Sequence, residues 1–299
     1  MSERPAEACK QQEQKQEKDK QEDEQEGKET MMGARRRVLM KFTFVRHGET
    51  KANKERCIQG HTDIPLCESG EEQASRAGER LQDVVFSRVY ASDLCRASAT
   101  CRRILDKNTR HPPPIIIDKR LRERNFGSVE GLGFEEVLKL AEANGSSWPS
   151  YSPPGAETLG EVQARLVAFF KGEKPSGQPG QESAEANMEE ENMRNEAKEK
   201  EATQKKPDEG VDEGGDGGGD GGGEAREHVL VVSHGAALRQ LYTHLHRTLG
   251  CALPGTLGPD APLRLTPNTG ISQYTVSYSP KTYTLECVRI HDNAHTQGM

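Results

Sequence analysis

An apolar, β-rich run, Val38 to Val45, stops abruptly at Arg46-His47-Gly48, and a second, Val229 to Val232, stops at Ser233-His234-Gly235. Near-continuous apolar runs of this length belong to strands buried on both faces, as in parallel sheets covered by helices. Ligands of such sheets sit beyond the carboxyl ends of the strands. Both histidines are therefore expected on one rim. His47 should project from a strand end, with Gly48 letting a ligand approach the backbone. His234 should open a helix whose first-turn N–H groups and dipole can bind an anion. Taken singly, each reads as an ordinary loop histidine. Two strand-terminal His-Gly pairs in a chain with 9 histidines read together as one site.

The stretches between and after these runs alternate in the same way. Residues 70–81 (GEEQASRAGERL) have helical spacing, residues 88–92 (RVYAS) are strand-like, residues 95–105 are helical, and residues 115–118 form a short β-branched strand. Residues 156–170 place Leu159, Val162, Leu166 and Phe169 at helical intervals, and Thr158 with Glu161 forms a capping box. Residues 236–249 read as a helix, and residues 271–290 alternate twice around Ser279-Pro280 as a hairpin. Strands alternating with helices give an α/β fold, a three-layer α/β/α sandwich around a mainly parallel central sheet.

Only 32% of the 299 residues are hydrophobic against 30% charged, which is poor for one globule of that length. Two segments account for the shortfall. Residues 1–36 alternate Gln, Glu, Lys and Asp, and residues 172–226 carry an acidic stretch ending in GGDGGGDGGG. Neither can offset the entropy of ordering its backbone, so both are expected to be disordered. The ordered domain, 37–299, is thus interrupted by a loop that closure entropy tolerates. Residues 172–227 hold 17 acidic and 7 basic side chains and residues 1–37 hold 10 and 9, so the whole-chain charge of −7 becomes +4 for the remainder. A mildly basic domain suits an anionic small molecule and falls far short of a nucleic-acid footprint.

Cysteines 9, 57, 67, 95, 101, 251 and 287 form no C-x-x-C pair and read as reduced intracellular thiols. No apolar run is long enough to cross a bilayer, so no membrane insertion and a cytoplasmic location are expected. The acidic arms could recruit protein partners.

Two further constellations sit at expected strand ends. In Leu121-Arg122-Glu123-Arg124, Glu123 is either an ion-pair partner of its flanking arginines or, facing a bound phosphate, an acid with a proton to give away. In Ser92-Asp93-Leu94-Cys95-Arg96, Arg96 is either a bidentate phosphate ligand or a surface charge. His244 and His246, two apart on a helix, do not share a face and make a poor zinc pair with His61. Trp148 lines a pocket mouth or simply packs. Gly127, Gly131 and Gly133 fit turns and not a nucleotide fingerprint.

Arg46-His47-Gly48-Glu49-Thr50 with Asn53, then Ser92-Asp93-Leu94-Cys95-Arg96-Ala97, Leu121-Arg122-Glu123 and Ser233-His234-Gly235 resemble, in order, the motifs of the histidine phosphatase superfamily of phosphoglycerate mutases and related phosphatases. Ile58-Gln59-Gly60, Ser152-Pro153-Pro154-Gly155, Glu157-Thr158-Leu159 and Thr266-Pro267-Asn268-Thr269-Gly270 resemble its fructose-2,6-bisphosphatase branch. The resemblance implies a phosphoglycerate mutase-like fold and a phosphatase acting on a small phosphate ester without metal or cofactor. It also implies that His47 takes the phosphoryl group. Arg46, Asn53, Arg96 and His234 would hold its oxygens, Gln59, Gly60 and Gly235 would line the substrate, and Glu123 would protonate the leaving alcohol. Nuclear or mitochondrial association is a further implication. A 2,3-bisphosphoglycerate phosphatase, a mutase and a non-catalytic scaffold remain the alternatives.

Overall fold

The computed structural model describes residues 38–172 and 226–298, apart from 256, 280 and 281. The expected extension 1–36 and the expected insert lie outside the described residues, save the insert's end residues 172 and 226. Strands β1 (Val38–Arg46), β2 (Arg88–Ala91), β3 (Ile115–Ile117) and β4 (Arg226–Ser233) run parallel, and β5 (Ile271–Ser279) and β6 (Thr282–Asp292) add an antiparallel hairpin beside β1. The sheet order is β3-β2-β4-β1-β5-β6. β1 and β4 are neighbours in register, Val45 opposite Val232 and Arg46 opposite Ser233. That register is what brings His47 and His234 to the same height on the rim.

The apolar runs divide their side chains between two cores. Phe42, Phe44, Val229, Val231 and Tyr274 face α5 (Leu159–Phe170) and α6 (Gly235–Thr243), through Val162, Leu166, Leu238, Leu241 and Tyr242. Val45, Val89, Leu230, Val232 and Ile271 face α2 (Glu68–Arg80) and α3 (Cys95–Asp106), through Ala77, Ala97, Cys101 and Ile104. Helices on both faces of a mainly parallel sheet are the expected three layers. Burying each such Phe, Val or Leu stabilises the fold by about 1.5–3 kcal/mol, and the alternation is why a one-residue slip of β1 is not tolerated. Phe44 is fully buried and edge-on to Tyr242 and Tyr274, so its truncation to Ala should cost about 3–5 kcal/mol.

Local sequence explains the starts of two helices. Thr158 caps α5 and Glu161 reaches back to the Thr158 N–H, the expected capping box. Thr50 and Asn53 make the same reciprocal pair around α1 (Lys51–Lys54), a four-residue helix that periodicity does not announce. The helix expected over 236–249 instead leaves α geometry after Thr243 and finishes as a π turn, His244–Thr248. The turn keeps Leu245 in the core while His246 bonds the Cys251 carbonyl at 2.6 Å and the Tyr274 hydroxyl at 3.0 Å. A further helix, α4 (Phe134–Ala143), packs with Trp148, Phe126 and Val129 in a small cluster of its own.

The chain leaves toward the insert just after α5 and returns at Arg226, which lies opposite Leu39 near the start of β1. The attachment point is therefore at the amino end of the sheet, across its length from both histidines.

Candidate active site

β1 ends by delivering Arg46 and His47 into the rim. The His47 N–H donates to the Ser233 carbonyl at 2.9 Å, which stitches the ends of β1 and β4 together. His47 Nδ1 lies 2.7 Å from the Gly48 carbonyl. A carbonyl only accepts, so Nδ1 carries the proton and Nε2 keeps a lone pair. Burial, then the Arg46 and Arg96 guanidinium charges, hold His47 well below the ordinary histidine value, so the ring is neutral. A neutral imidazole with its Nδ1–H anchored and its Nε2 free is the form a nucleophile requires.

His234 stands opposite, ring centroids 5.2 Å apart. It is fully buried, and neither ring nitrogen has a hydrogen-bond partner. Burial, then Arg96 and His47, push it well below the ordinary histidine value. Unpartnered buried polar atoms are costly, and this one faces other atoms in the same condition. Arg46 donates Nη1 to the Thr266 carbonyl at 2.7 Å, and Arg96 donates to the Gly60 carbonyl at 2.7 Å and the Thr62 carbonyl at 2.9 Å. The Nε of each arginine is buried without a partner. Burial lowers Arg46 to about 10, with Glu123 opposing the shift. Arg96 is thus no surface charge: it is fully buried, and its carbonyl anchors leave the Nε nitrogen without a partner. The set of orphaned donors, with a mild excess of positive charge, fits a phosphate.

Glu123 is not the ion-pair partner of its flanking arginines: Arg122 grips Asp93 at 2.8 and 2.5 Å, and the Arg124 guanidinium bonds the carbonyls of Pro149, Tyr151 and Glu157 and the Ser152 hydroxyl. The Glu123 carboxylate instead closes the N-terminus of α6. Oε1 accepts from the N–H groups of Arg124 at 2.8 Å and Ala237 at 2.9 Å, and Oε2 accepts from Ala236 at 3.0 Å. The first-turn N–H groups expected to bind an exogenous anion are occupied by this internal one. Its carbonyl is held by Arg165 Nη2 at 2.9 Å and His61 Nε2 at 2.8 Å, so backbone and carboxyl are both fixed. Oε2 accepts a single N–H and is the oxygen with room for a proton.

The remaining sequence-derived residues fall close by in different capacities. Asn53 Oδ1 accepts from Thr50 N–H at 3.1 Å and from Asn268 Nδ2 at 3.3 Å, so only its Nδ2 end is uncommitted. Gln59 is buried and accepts from the Thr50 hydroxyl at 3.0 Å. Gly60 has a left-handed φ of +53 and offers its carbonyl to Arg96; a Cβ there would strike the Glu130 carboxylate. A Cβ on Gly235 would lie 2.8 Å from Leu265 Cδ1 and 3.2 Å from Arg46 Nε. A Cβ on Gly48 would lie 2.4 Å from the Gly70 carbonyl, so its smallness lets α2 approach the end of β1. Trp148 stacks on Phe126 at 5.3 Å and packs. Among the described residues no three His, Cys, Asp or Glu side chains gather to hold a metal. Periodicity does not reveal Thr266, Asn268 and Thr269, whose loop braces Arg46 and His47.

Residues 42–209 match the model of the histidine phosphatase superfamily (branch 1). The chain belongs to that superfamily. The matched stretch contains Arg46, His47, Arg96 and Glu123, while His234 and Gly235 lie beyond it. Among relatives, this histidine phosphatase is 35% identical over 269 residues to "Fructose-2,6-bisphosphatase TIGAR" of Xenopus tropicalis, covering 85% of this chain and 93% of that one. It is 34% identical over 270 residues to the protein of the same name from Mus musculus, covering 86% and 96%. The fold matches a phosphoglycerate mutase from Bacillus anthracis with a TM-score of 0.56 at 23% identity, over 86% of this chain and 95% of that one. It matches a mycobacterial glucosyl-3-phosphoglycerate phosphatase with a TM-score of 0.53 at 23% identity, over 86% and 98%. The resemblance drawn from the motifs is borne out, and the histidine phosphatase reading of the chain is that of a phosphatase.

Proposed function

We propose that the chain removes the 2-phosphate of fructose-2,6-bisphosphate through a phosphohistidine on His47. The observation that carries this is the His47 ring, neutral and tethered at Nδ1, set among buried donors of Arg46, Arg96 and His234 that have no protein partner. In the first step the Nε2 lone pair attacks phosphorus and the bond to the sugar oxygen breaks. Arg46 Nε, Arg96 Nε and a His234 nitrogen receive the equatorial oxygens, on which charge accumulates in phosphoryl transfer. Glu123 Oε2 gives its proton to the departing oxygen. In the second step the same oxygen takes a proton from water as that water attacks the phosphohistidine, releasing phosphate and restoring both residues.

The choice of substrate is supported by the TIGAR relatives, alike over most of both chains. It is also supported by the positive balance of the part outside the acidic segments, since a second phosphate needs cations beyond the catalytic set. Hydrolysis of this ester lowers the level of a glycolytic activator, so the protein would restrain glycolysis in the cytoplasm. The deciding experiment offers fructose-2,6-bisphosphate, 2,3-bisphosphoglycerate and 3-phosphoglycerate separately to the full-length protein. Release of phosphate and fructose-6-phosphate with the highest kcat/KM is expected. Faster turnover of 2,3-bisphosphoglycerate, or isomerisation of 3-phosphoglycerate without phosphate release, would replace this substrate with the corresponding phosphatase or mutase reading.

A further inference from the structure

The loop Thr266 to Gly270, just ahead of β5, touches every part of the nucleophile's support. Its Thr266 carbonyl accepts from Arg46 Nη1 at 2.7 Å. The Thr269 N–H donates to the carbonyls of Arg46 at 3.1 Å and His47 at 3.3 Å, from a left-handed backbone with φ of +54. The Thr269 hydroxyl donates to the Asn268 carbonyl at 2.8 Å and so accepts from His295 Nε2 at 3.0 Å, which pins the turn from the far side. Asn268 sits at the centre. Its Nδ2 donates to the His47 carbonyl at 3.0 Å and to Asn53 Oδ1 at 3.3 Å.

A side-chain amide has two ends of nearly equal size and opposite polarity. Which end of Asn53 faces the phosphate decides whether it offers donors or an acceptor to that anion. The Thr50 N–H donates to Oδ1 at 3.1 Å. The Thr50 hydroxyl cannot be counted as a second fixed donor, because its single proton is shared between Asn53 Oδ1 at 3.1 Å and Gln59 Oε1 at 3.0 Å. The Asn268 amide, anchored on the His47 carbonyl, supplies that second donor. We propose that Asn268 is a positioning residue that keeps the Asn53 oxygen turned inward and its Nδ2 turned toward the phosphate. The proposal rests on the phosphohistidine reading of His47 and extends it to a residue that touches no substrate.

The test compares Asn268→Asp and Asn268→Ala, each made alone and on an Asn53→Ala background, with kcat/KM for p-nitrophenyl phosphate and a thermal melt for every protein. Asp is isosteric but turns the donor into an acceptor facing two oxygens, so it favours a flipped Asn53 with its oxygen on the phosphate. Asn268→Asp should lose about thirty- to a hundredfold, the size of one charge-assisted hydrogen bond replaced by repulsion, and Asn268→Ala only about fivefold. On the Asn53→Ala background the Asp substitution should cost under about tenfold, because the part that passes through Asn53 is gone and only the contact with the His47 carbonyl remains. An Ala variant as impaired as the Asp variant, or equal losses on both backgrounds, would overturn the proposal. If Asn268→Asp does not fold, Asn268→Ala decides alone: its loss shrinks on the Asn53→Ala background if the proposal is right and is undiminished if it is wrong. His47→Ala run alongside keeps the two readings apart. Residual turnover there would sink the nucleophile assignment, while inactivity there with no effect at Asn268 would sink only this inference.

Discussion

His47 and His234 face each other across the rim with ring centroids 5.2 Å apart and planes inclined at 58°. Each is depressed well below the ordinary histidine value of 6.5, first by burial and then by neighbouring positive charge. Two imidazoles this close between two arginines cannot both be cations, and the site is built so that neither is. On the acid side, kcat/KM should therefore stay level as the pH falls through about 6.5 and decline only at distinctly lower pH, since the base with the lowered value keeps its lone pair there. A pH–rate profile checks this. A half-loss near the free histidine value would show that one of the pair titrates normally.

Arg96 holds two carbonyls with its terminal nitrogens and presents Nε inward, a division of labour that needs the guanidinium fork. Arg96→Lys preserves charge but cannot make all three sets of bonds. It should lower kcat/KM for any phosphate ester by about ten- to a hundredfold, the value of one charge-assisted hydrogen bond. Steady-state kinetics of the folded variant measures it. A change below about twofold would remove Arg96 from the oxyanion set.

Glu123 should matter in proportion to how much the departing oxygen needs a proton. Glu123→Gln keeps the volume at the α6 N-terminus but has no carboxylic proton. Release of fructose-6-phosphate should fall by about a hundred- to a thousandfold, whereas release of p-nitrophenolate, which leaves as an anion, should fall by less than about tenfold. Pre-steady-state rates with both esters separate the two. Equal losses would make Glu123 a structural cap of α6 and nothing more.

Away from the site, His228 bonds the Thr43 hydroxyl at 2.8 Å and is held down to about 4, mainly by burial with a contribution from Lys41. Between that value and the ordinary 6.5 the unfolded chain binds about one proton more than the folded one. Stability is then full above about 6.5 and is lost as the pH falls toward 4. Denaturant titrations across this window should show His228→Gln with a pH slope shallower by up to one proton. An unchanged slope would place the titrating group elsewhere.

How much of this was legible before the structure depended on where each signal lives. β1 and β4 could be read directly because strands covered on both faces are rich in apolar residues, and the uninterrupted Val229 to Val232 can be little else. The Thr158–Glu161 box fixed the start of α5 for the same local reason. α4 escaped notice because Gly133 supplies no side-chain cap and only a short, ten-residue helix follows.

The site was legible as a set of residues and not as a set of contacts. His47, His234 and Arg96 announce themselves at strand ends. Two of the three N–H partners of the Glu123 carboxylate, however, lie 113 and 114 positions away, and its arginine neighbours point to Asp93 and to the loop at Pro149. No local pattern encodes that choice. Gly48 read as room for a ligand, and the sheet–helix packing at Gly70, which also forbids a side chain there, has no local signature either.

Everything rests on a covalent phosphoryl group on His47. Rapid-quench labelling with fructose-2,6-bisphosphate carrying radioactive phosphorus at the 2-position should trap a phosphoprotein that is labile in acid, stable in base and absent from His47→Ala. The same label appearing on His47→Ala, with turnover retained, would contradict it.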